Sequence, residues 1–300
     1  MATVIKGTKF PASLEREMYQ LVSGKSSVAR MSGAEPIPFV GKDIFTFNLP
    51  NKISIVGEAA AKPAGDAVVG TVNIRPQKVV YQMRVTDEFV TAEEEYRMSI
   101  FDDFKKAFAP VLASGLDEMV LHGIDPATGS AASGTIGNNY ADYVINAYSS
   151  NVNTETWTSG TNSPVDKLEA VLAKIPTANG IIMGTTMRTA IAGIKESSGS
   201  NVPAYPDFQF GGNPEYLGRS RLDVNPTVEA ASSKDRAIVA DWSAFRWGYA
   251  KDIAFEVIEY GNQDGGTYDL KQSNQVLLRA EAFIGWGFLD PSKFGRVVAP

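Results

Sequence analysis

Few side chains in this chain of 300 residues can do chemistry. It has one histidine, His122, and no cysteine. Without thiols there is no disulfide, no thiolate metal site, no iron–sulfur cluster and no cysteine nucleophile. One imidazole cannot make a multi-histidine zinc site or an HExxH motif within the chain. Most acid–base chemistry at neutral pH loses its usual agent as well. His122 precedes Gly123 at the end of a long helical pattern, where an imidazolium gains from the helix dipole. Its expected role is at that helix end, not in catalysis.

The remaining candidates fail on spacing. Gly24-Lys25-Ser26 looks like the end of a phosphate-binding loop, but the motif needs a glycine at position 19 and Tyr19 stands there. No GxGxxG or GxSxG string occurs. Asp102-Asp103 and Asp117-Glu118 are adjacent acids. Neighbours in sequence do not face each other on a helix as paired glycosidase carboxylates must, so both pairs read as solvated faces. Asp264, Gly265, Gly266 and Asp269 carry the residue types of a calcium loop but not its spacing, and a tight turn explains them better. Trp242, Trp247 and Trp286 read as core. No catalytic, cofactor-binding or metal-ligating set emerges. The residues alone lead to the expectation of no cofactor and no catalytic constellation.

Charge placement is uneven. Residues 107–166 contain no Lys or Arg but hold Asp117, Glu118, Asp125, Asp142, Glu155 and Asp166, which account for the whole net charge of −6. Residues 1–42 lean basic and read as a solvated arm. An acidic chain is a poor general nucleic-acid binder, because phosphate contacts need a positive surface. No signal-peptide pattern and no run near 20 apolar residues is present, so a soluble protein made inside the cell is the default.

The elements follow from periodicity. Ser13 reads as the N-cap of a short helix ended by Gly24, and residues 23–38 as a loop. Residues 43–56 and 68–85 alternate apolar and polar around a Gly/Ala/Pro-rich tip, which predicts one extended β-hairpin. At about 3.3 Å per residue its first strand would reach about 45 Å. A compact chain of this length has a radius of gyration of only about 19 Å. An isolated ribbon is marginal in water, so it calls for another molecule to lie against. Residues 93–122 switch to helical period, with Pro110 expected to kink or split the helix and Gly123 to close it. Residues 140–148 read as a short strand. Ser163, Pro164 and Asp166 open a helix that Pro176 stops. Residues 180–184 read as a buried strand, 186–195 as a helix, 200–220 as a long loop, and three late runs as strands with a Gly-rich turn at 261–266. Strands and helices mix without steady alternation, so the fold class is α+β.

This order of elements resembles the major capsid proteins of tailed bacteriophages with the Hong Kong 97-like fold. LDEMVLHG (116–123) resembles the end of that family's spine helix, and NGIIMGTTMRTAIAGIKESSG (179–199) the opening of its axial domain. YLGRSRLDV (216–224) resembles its LG-x-P-V string, with Arg219 and Ser220 replacing the usual tail. AIVADWSAFRWGYAKDIAFEV (237–257) is similar to its G-D-F segment, with Ala240 where Gly is commoner, and VLLRAEAFIGWGFLDPSKFGRV (276–297) to its closing strand. The resemblance implies an N-terminal arm at 1–38 and an extended hairpin loop at 39–85. It implies a peripheral domain at 86–177 containing the spine helix 93–122, an axial domain at 178–245, and returning peripheral strands at 246–300. It implies pentamers and hexamers tiling an icosahedral head around double-stranded DNA, in a virion assembled in the host bacterial cytoplasm. The implied partners are other copies of the chain, a separate scaffold, a portal and decoration proteins, with no membrane.

Some relatives join subunits through a Lys–Asn isopeptide bond. Lys62 with Asn262 or Asn274 offers the residue types, but almost any chain this long would, and no crosslink is expected. Two rival readings stay open. An encapsulin-like cargo shell shares the fold and would use a helix such as 13–22 for cargo. A carboxylate-dependent hydrolase would instead be a small species with paired acids in a cleft.

Overall fold

The computed structural model describes residues 22, 24–48, 54–58, 61–62, 64, 67–88, 94–230, 234–266 and 268–300. The expected helix start at Ser13 and most of the expected basic arm lie outside them. The chain is a mixed α and β protein whose main parts are a two-stranded ribbon, a three-stranded sheet beside a long helix, and a six-stranded sheet, with one further two-stranded pairing.

Helix α1, Ser27–Met31, replaces part of the loop expected at 23–38, and Gly24 is itself helical. Five residues cannot hold a helix by propensity. Ser26 caps it by accepting from the Ala29 N–H, and buried carboxylates described below complete the job.

Strands β1 (Lys42–Asn48) and β2 (Val68–Ile74) pair antiparallel as the predicted ribbon, with Phe45 opposite Thr71 and Phe47 opposite Val69. Strand β3 (Gln77–Thr86) does not continue that ribbon, contrary to the sequence reading. After Pro76 it turns into a different sheet. Among the described residues each strand of the ribbon is seven residues long and residues 54–57 are irregular, so β1 itself spans about 23 Å, while residues 49–53 of the expected longer strand lie outside the described residues.

Helix α2, Glu94–His122, runs 29 residues unbroken through Pro110, which neither splits nor ends it. Phe104, Phe108, Leu112, Leu116, Met119 and Val120 are buried along it, while Val111, expected in that stripe, is half exposed. Gly123 closes the helix in the left-handed region at φ +66°. The stretch expected as a strand is helix α3, Ala141–Ala147. Its Tyr, Val and Ile favour strands, but burial of Ala141 and Ile145, four apart, selects a helical face.

Strand β4 is Thr154–Thr156. Helix α4 is Pro164–Lys174, with Ser163 capping it as read. Strand β5, Gly180–Met183, is buried throughout, and helix α5 is Thr185–Ala192. Strand β6 (Tyr216–Leu217) lies inside the expected long loop at 200–220, and strand β7 (Ser220–Val224) starts at its end. Strands β8 (Asp235–Ala240), β9 (Phe245–Ile258), β10 (Gln275–Phe288) and β11 (Phe294–Val298) complete the chain.

The six-stranded sheet has the order β4-β11-β8-β5-β7-β6, and the three-stranded sheet the order β9-β10-β3. Trp247 pairs with Trp286 and Phe245 with Phe288 across β9 and β10. These rings, Phe294 and the inner face of α2 share one core. A second core fills the six-stranded sheet with Leu168, Val171, Ile181, Met183 and Val239. The segment after α1 is strapped to β9: the Glu35 N–H donates to the Trp247 carbonyl (2.8 Å) and the Ile37 N–H to the Tyr249 carbonyl (3.1 Å). Gly248 permits this approach, since a Cβ there would lie 1.5 Å from the Glu35 carbonyl oxygen. Among the described residues, no helix is long and apolar enough to cross a membrane.

Candidate assembly surface and buried charge clusters

The ribbon has two unlike faces because side chains alternate along a strand. One face carries Ile44, Thr46, Val72 and Ile74 toward the chain's own body. Ile74 is fully buried where β10 has glycines: a Cβ on Gly287 would lie 2.8 Å from Ile74 Cγ1, and one on Gly285 3.1 Å from its Cγ2. The other face carries Phe45, Phe47 and Val69 into solvent, 64%, 72% and 56% exposed. Beyond it Ile55 is fully exposed. Water-facing β-strands usually carry polar residues on the outer face. Two aromatic rings and a valine clustered there make an exposed apolar patch of the kind that marks interaction sites.

Asp117 anchors the segment that leads toward the N-terminus. It is completely buried, which corrects the reading of Asp117-Glu118 as a solvated face. Its Oδ1 accepts from Ser26 Oγ (2.6 Å) and the Val28 N–H (3.0 Å). Its Oδ2 accepts from the Ser27 N–H (2.9 Å) and Asn225 Nδ2 (2.9 Å). A carboxylate on α2 thus satisfies the open N–H groups at the start of α1. Burial pushes Asp117 up to about 6, against the opposing pull of its bonds from Ser26, Val28 and Ser27. Ser27 Oγ and Arg30 Nη1 both donate to Asp223 on β7, so α1 is tied to the six-stranded sheet as well.

A second cluster sits at the far end of α2. His122 does not serve its own helix end, as expected from sequence. Its Nδ1 lies 2.8 Å from Asp142 Oδ2 and its Nε2 lies 3.0 Å from the Thr227 carbonyl oxygen. Arg296 Nη1 donates to Asp142 Oδ1 (2.9 Å) and Asp235 Oδ1 (3.0 Å), and its Nη2 to Asn146 Oδ1. Burial and the hydrogen bond with Asp142 push Asp235 well above the usual carboxylate range. Burial opposes the charge on Asp142 too, but its bonds with Asp235 and His122 prevail and hold it below that range. His122, Asp142 and Asp235 are close enough to hold a metal ion, yet the guanidinium of Arg296 already supplies their positive partner. The two acids of this cluster are enclosed, with Asp235 almost fully buried and Asp142 largely so.

Asp264 belongs to neither cluster. It takes a bidentate ion pair from Arg84 (2.6 Å to each oxygen), which holds its carboxyl far below the usual range. This fixes the Gly-rich turn between β9 and β10, in keeping with the turn reading of 264–269. Asn262 is engaged by Arg84 and Gly266 of its own chain, while Lys62 is exposed. Gly24, Lys25 and Ser26 form no phosphate loop, since Ser26 spends its hydroxyl on Asp117. Trp242, Trp247 and Trp286 are core, as read. Sequence reasoning missed Asp142, Asp235 and Arg296 as a group. They lie on three elements and no local spacing connects them.

A model of the phage capsid family matches residues 17–298. Among solved structures, a chain of Mycobacterium phage Ogopogo is 27% identical, with a TM-score of 0.76 and 92% of each chain covered. A chain of Gordonia phage Cozz is 22% identical at TM-score 0.71, covering 92% of this chain and 87% of that one. The capsid of a native GTA particle, computed with C5 symmetry, shares the fold at TM-score 0.62 and 11% identity, covering 100% and 94%. No curated protein matches the chain.

Proposed function

This chain belongs to the phage capsid family, and from that premise we propose that it assembles as pentamers and hexamers into an icosahedral head enclosing double-stranded DNA. It is a structural protein of the virion shell and not an enzyme, which sets aside the hydrolase reading. The finer architecture proposed is the Hong Kong 97-like one. Residues 1–38 act as the arm, 39–85 as the extended loop, 93–122 as the spine helix within 86–177, 178–245 as the axial domain, and 246–300 as returning peripheral strands.

The observation that carries the proposal is the outward apolar face of the ribbon. Covering Phe45, Phe47 and Val69, each about two-thirds exposed, yields roughly 3–6 kcal/mol at one contact before association costs are subtracted. Such a contact is weak alone and strong when repeated around a closed shell. The fold likeness to a capsid computed with C5 symmetry supports five-fold rings. The net charge of −6 supports a lining that encloses DNA without gripping it. Assembly in the host cytoplasm, with separate scaffold and portal proteins, completes the reading.

Negative-stain microscopy and sedimentation of the purified chain test it. Closed shells of megadalton mass are expected. A stable 32.3 kDa species at all concentrations overturns the proposal.

A further inference from the structure

We propose that the contact between Asp142 and Asp235 at the end of the spine helix is a proton-held clasp that loosens as pH rises. Elements distant in sequence converge there: His122 from the last turn of α2, Asp142 and Asn146 from α3, the Thr227 carbonyl, Asp235 from the start of β8 and Arg296 from β11. The side chains of Asp235 and His122 are 1% and 3% exposed.

The geometry fixes where protons must be. Arg296 Nη1 reaches both carboxylates, at 2.9 Å and 3.0 Å. His122 Nδ1 lies 2.8 Å from Asp142 and 3.8 Å from Asp235. The two acids share the Arg296 donor and, with His122, bring side-chain atoms within 4.8 Å of one another, and two bare carboxylates that close in a buried site repel. A proton between them turns the repulsion into a hydrogen bond. The Thr227 carbonyl can only accept, so Nε2 of His122 carries a hydrogen. The Nδ1···Oδ2 line then needs a proton of its own, whichever side holds it. The closed clasp therefore keeps one proton between His122 and Asp142 and a second between the two acids.

Other charged groups nearby do not replace these protons. Glu118 lies one turn before His122 on α2 and is half-buried. Arg236, beside Asp235, donates to the Asp235 backbone carbonyl (2.9 Å) and faces Glu229 at 3.8 Å. The sign follows from Asp235, which burial and Asp142 raise. Its contribution is fully present in acid and is lost as pH climbs through the raised value. Asp142 is lowered, so its contribution fails only in stronger acid. The clasp is closed in mild acid and opens on the alkaline side, freeing α3 and β11 from the end of α2.

Hydrogen exchange of the purified full chain between about pH 5 and about pH 9, corrected for intrinsic rates, tests this, with α4 as internal reference. Asp235→Asn places a permanent N–H where the proton sat and does not titrate. In the unaltered chain, protection of 141–147 is expected to fall about ten-fold more than that of 164–174; in Asp235→Asn the two should fall together. Equal behaviour of the two proteins, or no excess fall in the unaltered chain, overturns the proposal. Should Asp235→Asn not fold, the lone histidine gives a second readout. Nitrogen-15 histidine spectra of the unaltered chain are expected to show an Nδ1 signal that moves over the pH range in which α3 loosens. An Nδ1 signal that stays constant while α3 loosens overturns the clasp.

Discussion

Replacing Phe45 and Phe47 together by serine separates assembly from folding. The two rings are 64% and 72% exposed in the isolated subunit. Burying a whole phenylalanine side chain gives about 1.5–3 kcal/mol, so covering two-thirds of one gives about 1–2 kcal/mol and the pair about 2–4 kcal/mol. Each 1.4 kcal/mol is about ten-fold in an equilibrium constant, so one subunit contact should weaken roughly thirty-fold to several-hundred-fold. The concentration needed for assembly should rise by a comparable factor. The dissociated subunit should lose nothing, since water already covers those rings. Ile74→Ala gives the opposite pattern. Ile74 is 1% exposed against β10, and its truncation should cost the folded subunit about 2–5 kcal/mol. Light scattering against concentration reads the first effect, and thermal unfolding of dissociated subunits reads the second. An unchanged assembly threshold in the double variant refutes the reasoning. So does a double variant whose subunit is as destabilised as Ile74→Ala.

Asp117→Asn should destabilise the dissociated subunit at low pH by about 1–3 kcal/mol, because an amide N–H₂ replaces one acceptor among the donors around α1. Because Asp117 is raised to about 6, its contribution is greatest below about pH 4 and declines as pH passes 6. Denaturant titrations should therefore show the gap between the two proteins narrowing from about pH 4 to about pH 7, and a widening gap contradicts the account. Gly248→Ala should cost at least about 1–3 kcal/mol, since its Cβ would lie 1.5 Å from the Glu35 carbonyl oxygen and must push the strap off β9. Unaltered thermal unfolding would show that the strap adds no stability. Arg84→Lys cannot restore the bidentate pair with Asp264, so limited proteolysis should cut the turn between β9 and β10 faster, and an unchanged rate removes Arg84 as its clamp.

What was legible in the sequence was local. Ser163, Pro164 and Asp166 announce α4 because a cap and a fixed φ act within one turn. The alternation in 42–48 and 68–74 announces the ribbon, and the long stripe announces α2. The misses are tertiary. α1 exists because Asp117, about ninety positions away, receives its first N–H groups. β3 reads like a continuation of the ribbon because both have period two, but its partner is β10, near the other end of the chain. The β-formers of 140–148 were overruled by a core that takes Ala141 and Ile145 together. Pro110 was expected to kink or split α2, and burial of Ala109, Leu112 and Ala113 around it keeps the helix in one piece. Asp117 looked like a surface acid because nothing in its neighbours reveals that Ser26, Ser27 and Asn225 close over it. The outward phenylalanines were legible as part of the alternation. That they face water, while Ile44 and Val72 face the body, came only with the placement of β2 over the glycines of β10.

The chain has no cysteine, so Phe47→Cys creates a single thiol on the ribbon's outer face. Its alkylation rate, measured in dissociated subunits and again in assembled shells, reads directly whether another copy covers that face. The account predicts fast reaction in the subunit and reaction slowed about ten-fold or more in the shell. Equal rates in the two states would mean that the outer face stays wet after assembly, and the ribbon would not be what joins the copies.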